Sequence, residues 1–251
     1  MLKISLDDAL LAKLYTVLPD VREVSVEIQA TKCIRTSYKN LRPDLVAAIE
    51  ADAEAYDNLV GLTVLPHAVD KPIDVLIDAN YISNDNAWLG TIAHELTHAG
   101  HYYQLAMKES LDCYDPLILV TQWSKHWLFQ MWSEFHARKN GDTFIQCLLK
   151  EGGTAPVLNA DWQSDIEEYQ KEYATSNTLH KICIYEMMLF LGSISARCDF
   201  FPEILDSDTL KKLFSANPRL KRVLTFSQQY DTLETVYPRL DELKQIFFQI
   251  E

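Results

Sequence analysis

Seven glycines in 251 residues set the first limit on the fold. That is about 3%, against a usual ~7%. A many-stranded sandwich or barrel needs many tight turns, and glycine is the residue that supplies their positive-φ positions. Scarce glycine therefore points away from such folds and toward long helices. The length suits one large domain, or a core domain with an appended helical lobe. A chain of this size buries roughly 70–75% of its unfolded surface, so it needs neither disulfides nor a metal to stay folded. With 48% apolar and 24% charged residues the composition is globular.

The net charge of −13 argues against nucleic-acid binding, which rests on Lys and Arg neutralising phosphates, and against an anionic membrane surface. No apolar run approaches the length of a membrane span. Five scattered cysteines (Cys33, Cys113, Cys147, Cys183 and Cys198) form no CxxC pair and fit reduced thiols better than a disulfide framework. Asp7 and Asp8 interrupt the stretch in which a signal peptide would be apolar. These features lead us to expect a cytoplasmic protein.

Along the chain, residues 6–18 read as an amphipathic helix and 24–29 as a strand, with Val24, Val26 and Ile28 on one face. Pro43 opens a helix closed by Gly61. Short β-branched runs at 62–65 and 73–77 read as strands. The polar cluster 83–86 offers caps for a helix over about 87–107. After Pro116 the pattern is almost wholly helical. One helix is expected from Leu117 to Lys139, stopped by Asn140-Gly141, with others near 142–150, 161–175, 178–196, 207–216 and 238–250. The glycines at 152 and 153 mark the expected boundary between an N-terminal part, 1–150, and a helical C-terminal part, 151–251. The fold class is α+β, predominantly helical.

The segment that carries chemistry is Ala93-His94-Glu95-Leu96-Thr97-His98-Ala99-Gly100-His101. On a helix, His94 and His98 lie about 40° apart on one face and one turn apart along the axis. Both imidazoles can then reach one Zn²⁺ at ~2.0–2.1 Å. Glu95 sits about 100° round, beside the metal, where a carboxylate can take a proton from water. Trp88, Ile92, Leu96, Ala99 and Tyr103 fall on the opposite side, so the helix can pack on a core with one face and offer His, Glu and His with the other. This composition yields only about 0.01 chance HExxH matches.

Residues 73–138 resemble the zincin metallopeptidases, whose active-site helix carries HExxH. The resemblance implies a zincin-like small sheet plus active-site helix with a helical C-terminal lobe. It also implies that the strand Ile73, Asp74, Val75, Leu76, Ile77, Asp78 is the sheet edge that pairs with an extended peptide. A catalytic zinc takes three protein ligands and keeps one open position. The metzincin third histidine is absent, because position 104 is Gln. His101 lies about 10.5 Å along the axis from His94, out of reach unless Gly100 breaks the helix. The gluzincin pattern takes a Glu from a later helix. Glu134 suits it, set among Trp, Phe and Met residues where an uncompensated carboxylate is costly. A salt bridge to Arg138 is the plain structural reading of the same residue. His136 is a further candidate, but it points about 200° away from Glu134. Arg138 stands where gluzincins carry a supporting acid. An oxyanion donor is also implied, with Tyr173, His180, Tyr185 and His126 as candidates.

The expected function is therefore that of a zinc metallopeptidase acting on a peptide or protein substrate. Zn²⁺ sits on His94, His98 and Glu134, and Glu95 serves as general base. A catalytically inactive zincin-like peptide-binding or regulatory module is the second reading. A di-iron bundle would need a second ExxH, which the chain lacks. Oligomeric state is not readable from the sequence.

Overall fold

A computed structural model of the chain describes residues 1–82, 87–152 and 181–248. The fold is α+β and predominantly helical, with a four-stranded mixed sheet. The chain divides into two compact units, Met1–Leu119 and Val120–Glu251. The division falls ahead of the long helix that carries Glu134, not at the glycines near 152. The parts expected from the sequence, 1–150 and 151–251, place their boundary about thirty residues later.

The first unit holds strands β1 (Leu2–Lys3), β2 (Val26–Thr31), β3 (Gly61–Val64) and β4 (Ile73–Asp78). Their spatial order is β1-β2-β4-β3. β4 runs parallel to β2, with Val26 opposite Ile73, and antiparallel to β3, with Gly61 opposite Ile77. β4 is therefore an interior strand, bonded on both sides. The expectation that Ile73, Asp74, Val75, Leu76, Ile77 and Asp78 form a sheet edge is overturned. The edge beside β4 is β3. Complete burial of Val75, Leu76 and Ile77 fits an interior strand covered on both faces.

Helices α1 (Asp8–Val17), α2 (Ile34–Leu41), α3 (Val46–Ala51), α4 (Ala53–Asp57), α5 (Ala87–Glu109) and α6 (Asp115–Ile118) complete this unit. One sheet face receives α2 and α3 through Ile34, Tyr38, Leu45, Ile49, Val64 and Leu76. The other receives α5. Period-two alternation assigns Gly61 and Thr63 to the α5 face, in line with their contacts, and Leu62 and Val64 to the α2 face. The helix expected to run from Pro43 toward Gly61 is broken into a 3₁₀ turn, α3 and α4. Ile49 is the one buried residue of the two α-helical pieces, so tertiary packing holds little of a longer helix together.

Arg42 is only 2% exposed, and each of its guanidinium nitrogens donates a hydrogen bond. It donates to Asp44, to Asp115 Oδ1 at 2.7 Å and to the Leu65 carbonyl at 2.7 Å. The Arg42 hydrogen bond holds the Asp44 carboxyl below its ordinary range. Tyr114 is completely buried, and its hydroxyl has no protein hydrogen-bond partner among the described residues. Burial pushes that hydroxyl up to about 12 from an ordinary 10.0. Here the neutral form belongs to the fold, while the unfolded chain ionises first. Stability is thus lost as pH rises from 10 toward 12. Tyr114→Phe is expected to add about 1 kcal/mol at neutral pH by removing a desolvated hydroxyl. It should also flatten the alkaline loss of stability, as read by urea unfolding across pH 7–11.5. A loss of stability at pH 7 would show that the hydroxyl is satisfied.

The second unit is built on α7 (Lys125–Glu151) and α8 (Lys181–Phe200), followed by α9 (Asp208–Ala216), α10 (Pro218–Gln229), α11 (Leu233–Val236) and α12 (Leu240–Phe248). The Ser124 hydroxyl caps α7 by accepting from the Trp127 amide at 3.2 Å. The helix then runs straight through Asn140-Gly141, the expected stop. Gly141 and Phe144 are buried, and Lys139 pairs with Asp199 of α8 at 3.0 Å. Packing against α8 overrides the local stop signal. Gly192 makes this crossing close, since a Cβ there would lie 2.4 Å from the Phe135 carbonyl oxygen. Trp132, fully buried, donates its indole N–H to the Tyr230 carbonyl at 2.7 Å. No described helix is long and apolar enough to cross a membrane. The helix expected at 161–175 lies outside the described residues.

Candidate metal centre

α5 runs unbroken from Ala87 to Glu109, two residues beyond its expected end. Its regularity places His94 and His98 one turn apart. Their Nε2 atoms are 3.2 Å apart, with ring centroids at 4.9 Å and planes at 75°. Two nitrogens on a tetrahedral zinc at ~2.05 Å stand ~3.3 Å apart. The pair therefore has the spacing of two ligands to one ion. His98 is buried and His94 half-buried. Tyr102, the next residue down the same face, has its ring centroid 6.2 Å from that of His98.

Glu95 is also buried and faces the sheet. Its Oε2 lies 2.8 Å from the Thr63 hydroxyl, which lies equally 2.8 Å from the Glu95 backbone carbonyl. Burying a carboxylate away from water is costly, and a hydroxyl donor offsets part of that cost. The far side of the carboxyl meets Gly61. A Cβ on Gly61 would lie 2.9 Å from Glu95 Oε1 and 2.5 Å from Thr91 Cγ2. Farther along α5, Gly100 lets the Pro19–Val21 turn approach, with Val21 Cγ2 at 3.2 Å from where its Cβ would be. Gly100 does not break the helix, so His101 stays about two turns along α5 from His94 and is buried. It is not a ligand beside His94.

In the second unit Glu134 is half-buried on α7, between fully buried Ser133 and Phe135. Arg138 pairs with Asp142 at 3.2 Å, one turn beyond Glu134. His136 is buried, with its ring against Trp132 and Phe135 at 4.5 and 5.0 Å between centroids. Burial lowers its pKa from 6.5 to about 3, with Lys139 adding to the shift, so the ring is neutral. Tyr185 is half-buried on α8, and His126 is half-buried in the first turn of α7. Tyr173 and His180 lie outside the described residues.

Thr63, Gly61 and Thr91 were not among the candidates drawn from the sequence. The signal was there in weak form: a glycine opens a strand, and a hydroxyl two residues later shares its face. A separate set of donor side chains, Asp44, His67 and Asp115, comes together in the first unit. It is accounted for by Arg42 and by the His67 Nδ1 contact to Asp115 at 2.9 Å. No protein-family model, curated protein or solved structure matches this chain.

Proposed function

We propose that the chain is a zinc-dependent metallopeptidase. The observation that carries this reading is the 3.2 Å separation of the His94 and His98 Nε2 atoms, with Glu95 buried on the same helix and bonded to Thr63. The donor chemistry fits zinc: two imidazoles, with Glu134 as the proposed carboxylate third ligand, leave the open position that a catalytic site needs. When bound, Zn²⁺ supplies Lewis acidity, polarising a substrate carbonyl and acidifying water. His94 and His98 act as neutral nitrogen donors on a rigid helix. Glu95 accepts a proton from the attacking water and delivers it to the departing amine. With β4 interior, the proposed seat for an extended substrate moves to β3, whose outer side offers backbone donors and acceptors for β-augmentation.

The test is elemental analysis of purified protein, together with hydrolysis of casein. The expected result is one zinc per wild-type chain, with the metal lost in His98→Ala and reduced in Glu134→Ala. Casein cleavage should follow the metal content. A wild-type chain that binds no zinc from a zinc-buffered solution would remove the proposal. Stoichiometric zinc with no cleavage of any peptide library would favour the inactive binding module instead.

A further inference from the structure

β3 locates both oxygens of the Glu95 carboxylate. Oε2 is 2.8 Å from the Thr63 hydroxyl, and Oε1 occupies space that any side chain at position 61 would take. The two contacts come from residues i and i+2 of one strand, which share a face. We infer that Thr63, with Gly61, is the positioning pair for Glu95, holding its carboxylate in one orientation before substrate arrives. The inference rests on the peptidase reading for what Glu95 does, but the clamp can be measured without turnover.

The composition of the sheet face argues for a specific role. By register, the residues of β2 and β4 that share this face are Val26, Ile28 and Ala30 beside Ile73, Val75 and Ile77. All are apolar. Within β2, β3 and β4, Thr63 alone brings a hydroxyl to this face, and Gly61 alone lacks a Cβ. Both stand opposite the buried carboxylate of α5. A strand that merely supported the helix would be served by Val or Ile at position 63, which pack well on a pleated surface, whereas position 61 is also kept small by Thr91, whose Cγ2 would lie 2.5 Å from a Cβ there. The Thr63 hydroxyl also reaches the Glu95 backbone carbonyl at 2.8 Å. One oxygen atom thus references both the main chain and the carboxylate of the same residue to the strand. A hydroxyl carries a single proton, and a carboxylate attracts it more strongly than an amide carbonyl does. The bond to Oε2 is therefore the dominant one. A base held this way needs no reorganisation before it takes the proton from water.

The experiment uses full-length, zinc-loaded Thr63→Val, Thr63→Ser and Gly61→Ala. The first readout is the set of three-bond couplings along the Glu95 side chain, measured on protein labelled with ¹³C-glutamate and assigned by comparison with Glu95→Gln. Wild type and Thr63→Ser should show one rotamer. Thr63→Val should show averaged couplings, and Gly61→Ala a displaced rotamer with the hydroxyl still present. The second readout is casein hydrolysis. Thr63→Val is expected to lower kcat by about 10- to 100-fold, in line with misplacement of a reacting group. Its KM should stay within about twofold, and its zinc content should be unchanged. Thr63→Ser should recover most of the rate. Wild-type couplings in Thr63→Val, or Thr63→Ser as impaired as Thr63→Val, would overturn the assignment. If Thr63→Val does not fold, wild-type Glu95 couplings in Gly61→Ala would overturn it equally. Absence of zinc and of casein cleavage in wild type would instead defeat the peptidase reading, and the couplings would still decide the clamp.

Discussion

Glu95→Gln is expected to retain its zinc and to lose casein hydrolysis by about two to four orders of magnitude, the usual share of a positioned base. Glutamine matches glutamate in shape, so the contact with Gly61 is preserved. Its amide oxygen can still accept from the Thr63 hydroxyl, which lies 2.8 Å from the carboxylate oxygen it replaces. His94 and His98 are untouched, and their 3.2 Å spacing is set by the helix. What is removed is the negative charge and, with it, the capacity to accept a proton. Metal analysis and initial rates on the same preparation separate the outcomes. Hydrolysis within threefold of wild type would show that another group takes the proton. Loss of zinc together with activity would mean that Glu95 is bound to the ion rather than placed next to it.

Gly192→Ala should cost roughly 2 kcal/mol of stability in the second unit. Two effects oppose each other. Alanine favours a helix interior over glycine by about 1 kcal/mol. Against this, the new methyl would sit 2.4 Å from the Phe135 carbonyl oxygen, 3.0 Å from Arg138 Cβ and 3.2 Å from the Lys139 amide nitrogen. Two of these are backbone atoms of α7 and cannot rotate aside, so the helices must separate. Overpacking of this kind costs about 1–3 kcal/mol, toward the upper end where backbone is struck. Crowding therefore wins. Urea denaturation is the measurement, with a lower midpoint expected at similar slope. A raised midpoint would mean that α7 and α8 cross farther apart than described.

The parts of this molecule that were legible in its sequence are those set by neighbours in the chain. The HExxH helix was found to within two residues at its far end because its periodicity is long and unambiguous. The strands at 61–64 and 73–78 were found because β-branched runs stand between prolines. Their order was not, since pairing is a long-range matter. Nothing within Ile73–Asp78 reveals that Val26–Thr31 lies on one side and Gly61–Val64 on the other. Two helices of two turns or more passed unnoticed. Ile34–Leu41 is short and mostly polar, although Ile34, Tyr38 and Leu41 keep a three-and-four spacing. Pro218–Gln229 begins on a proline at its first turn and buries Leu220, Val223, Leu224 and Ser227. Asn140-Gly141 read as a stop because local chemistry favours one there, and only the packing of α8 shows otherwise. The site divides in the same way. His94, Glu95 and His98 follow from one turn of helix. Thr63 and Gly61, about thirty residues earlier, become visible only once the strand is laid against that helix.

Arg42 carries a consequence for how the first unit forms. Its guanidinium is covered on all sides, and its partners come from residue 44, residue 65 and residue 115. An ion in the interior is tolerable only when its counter-charges are in place. Asp44 supplies one counter-charge from the start, but the second carboxylate, Asp115, comes 73 residues after Arg42, so the full set of partners is assembled only when that part of the chain is in place. The short stretch around Asp115 thus completes the charge balance of a residue fixed far earlier in the chain, so a break in that stretch is felt at the helices and strands around Arg42.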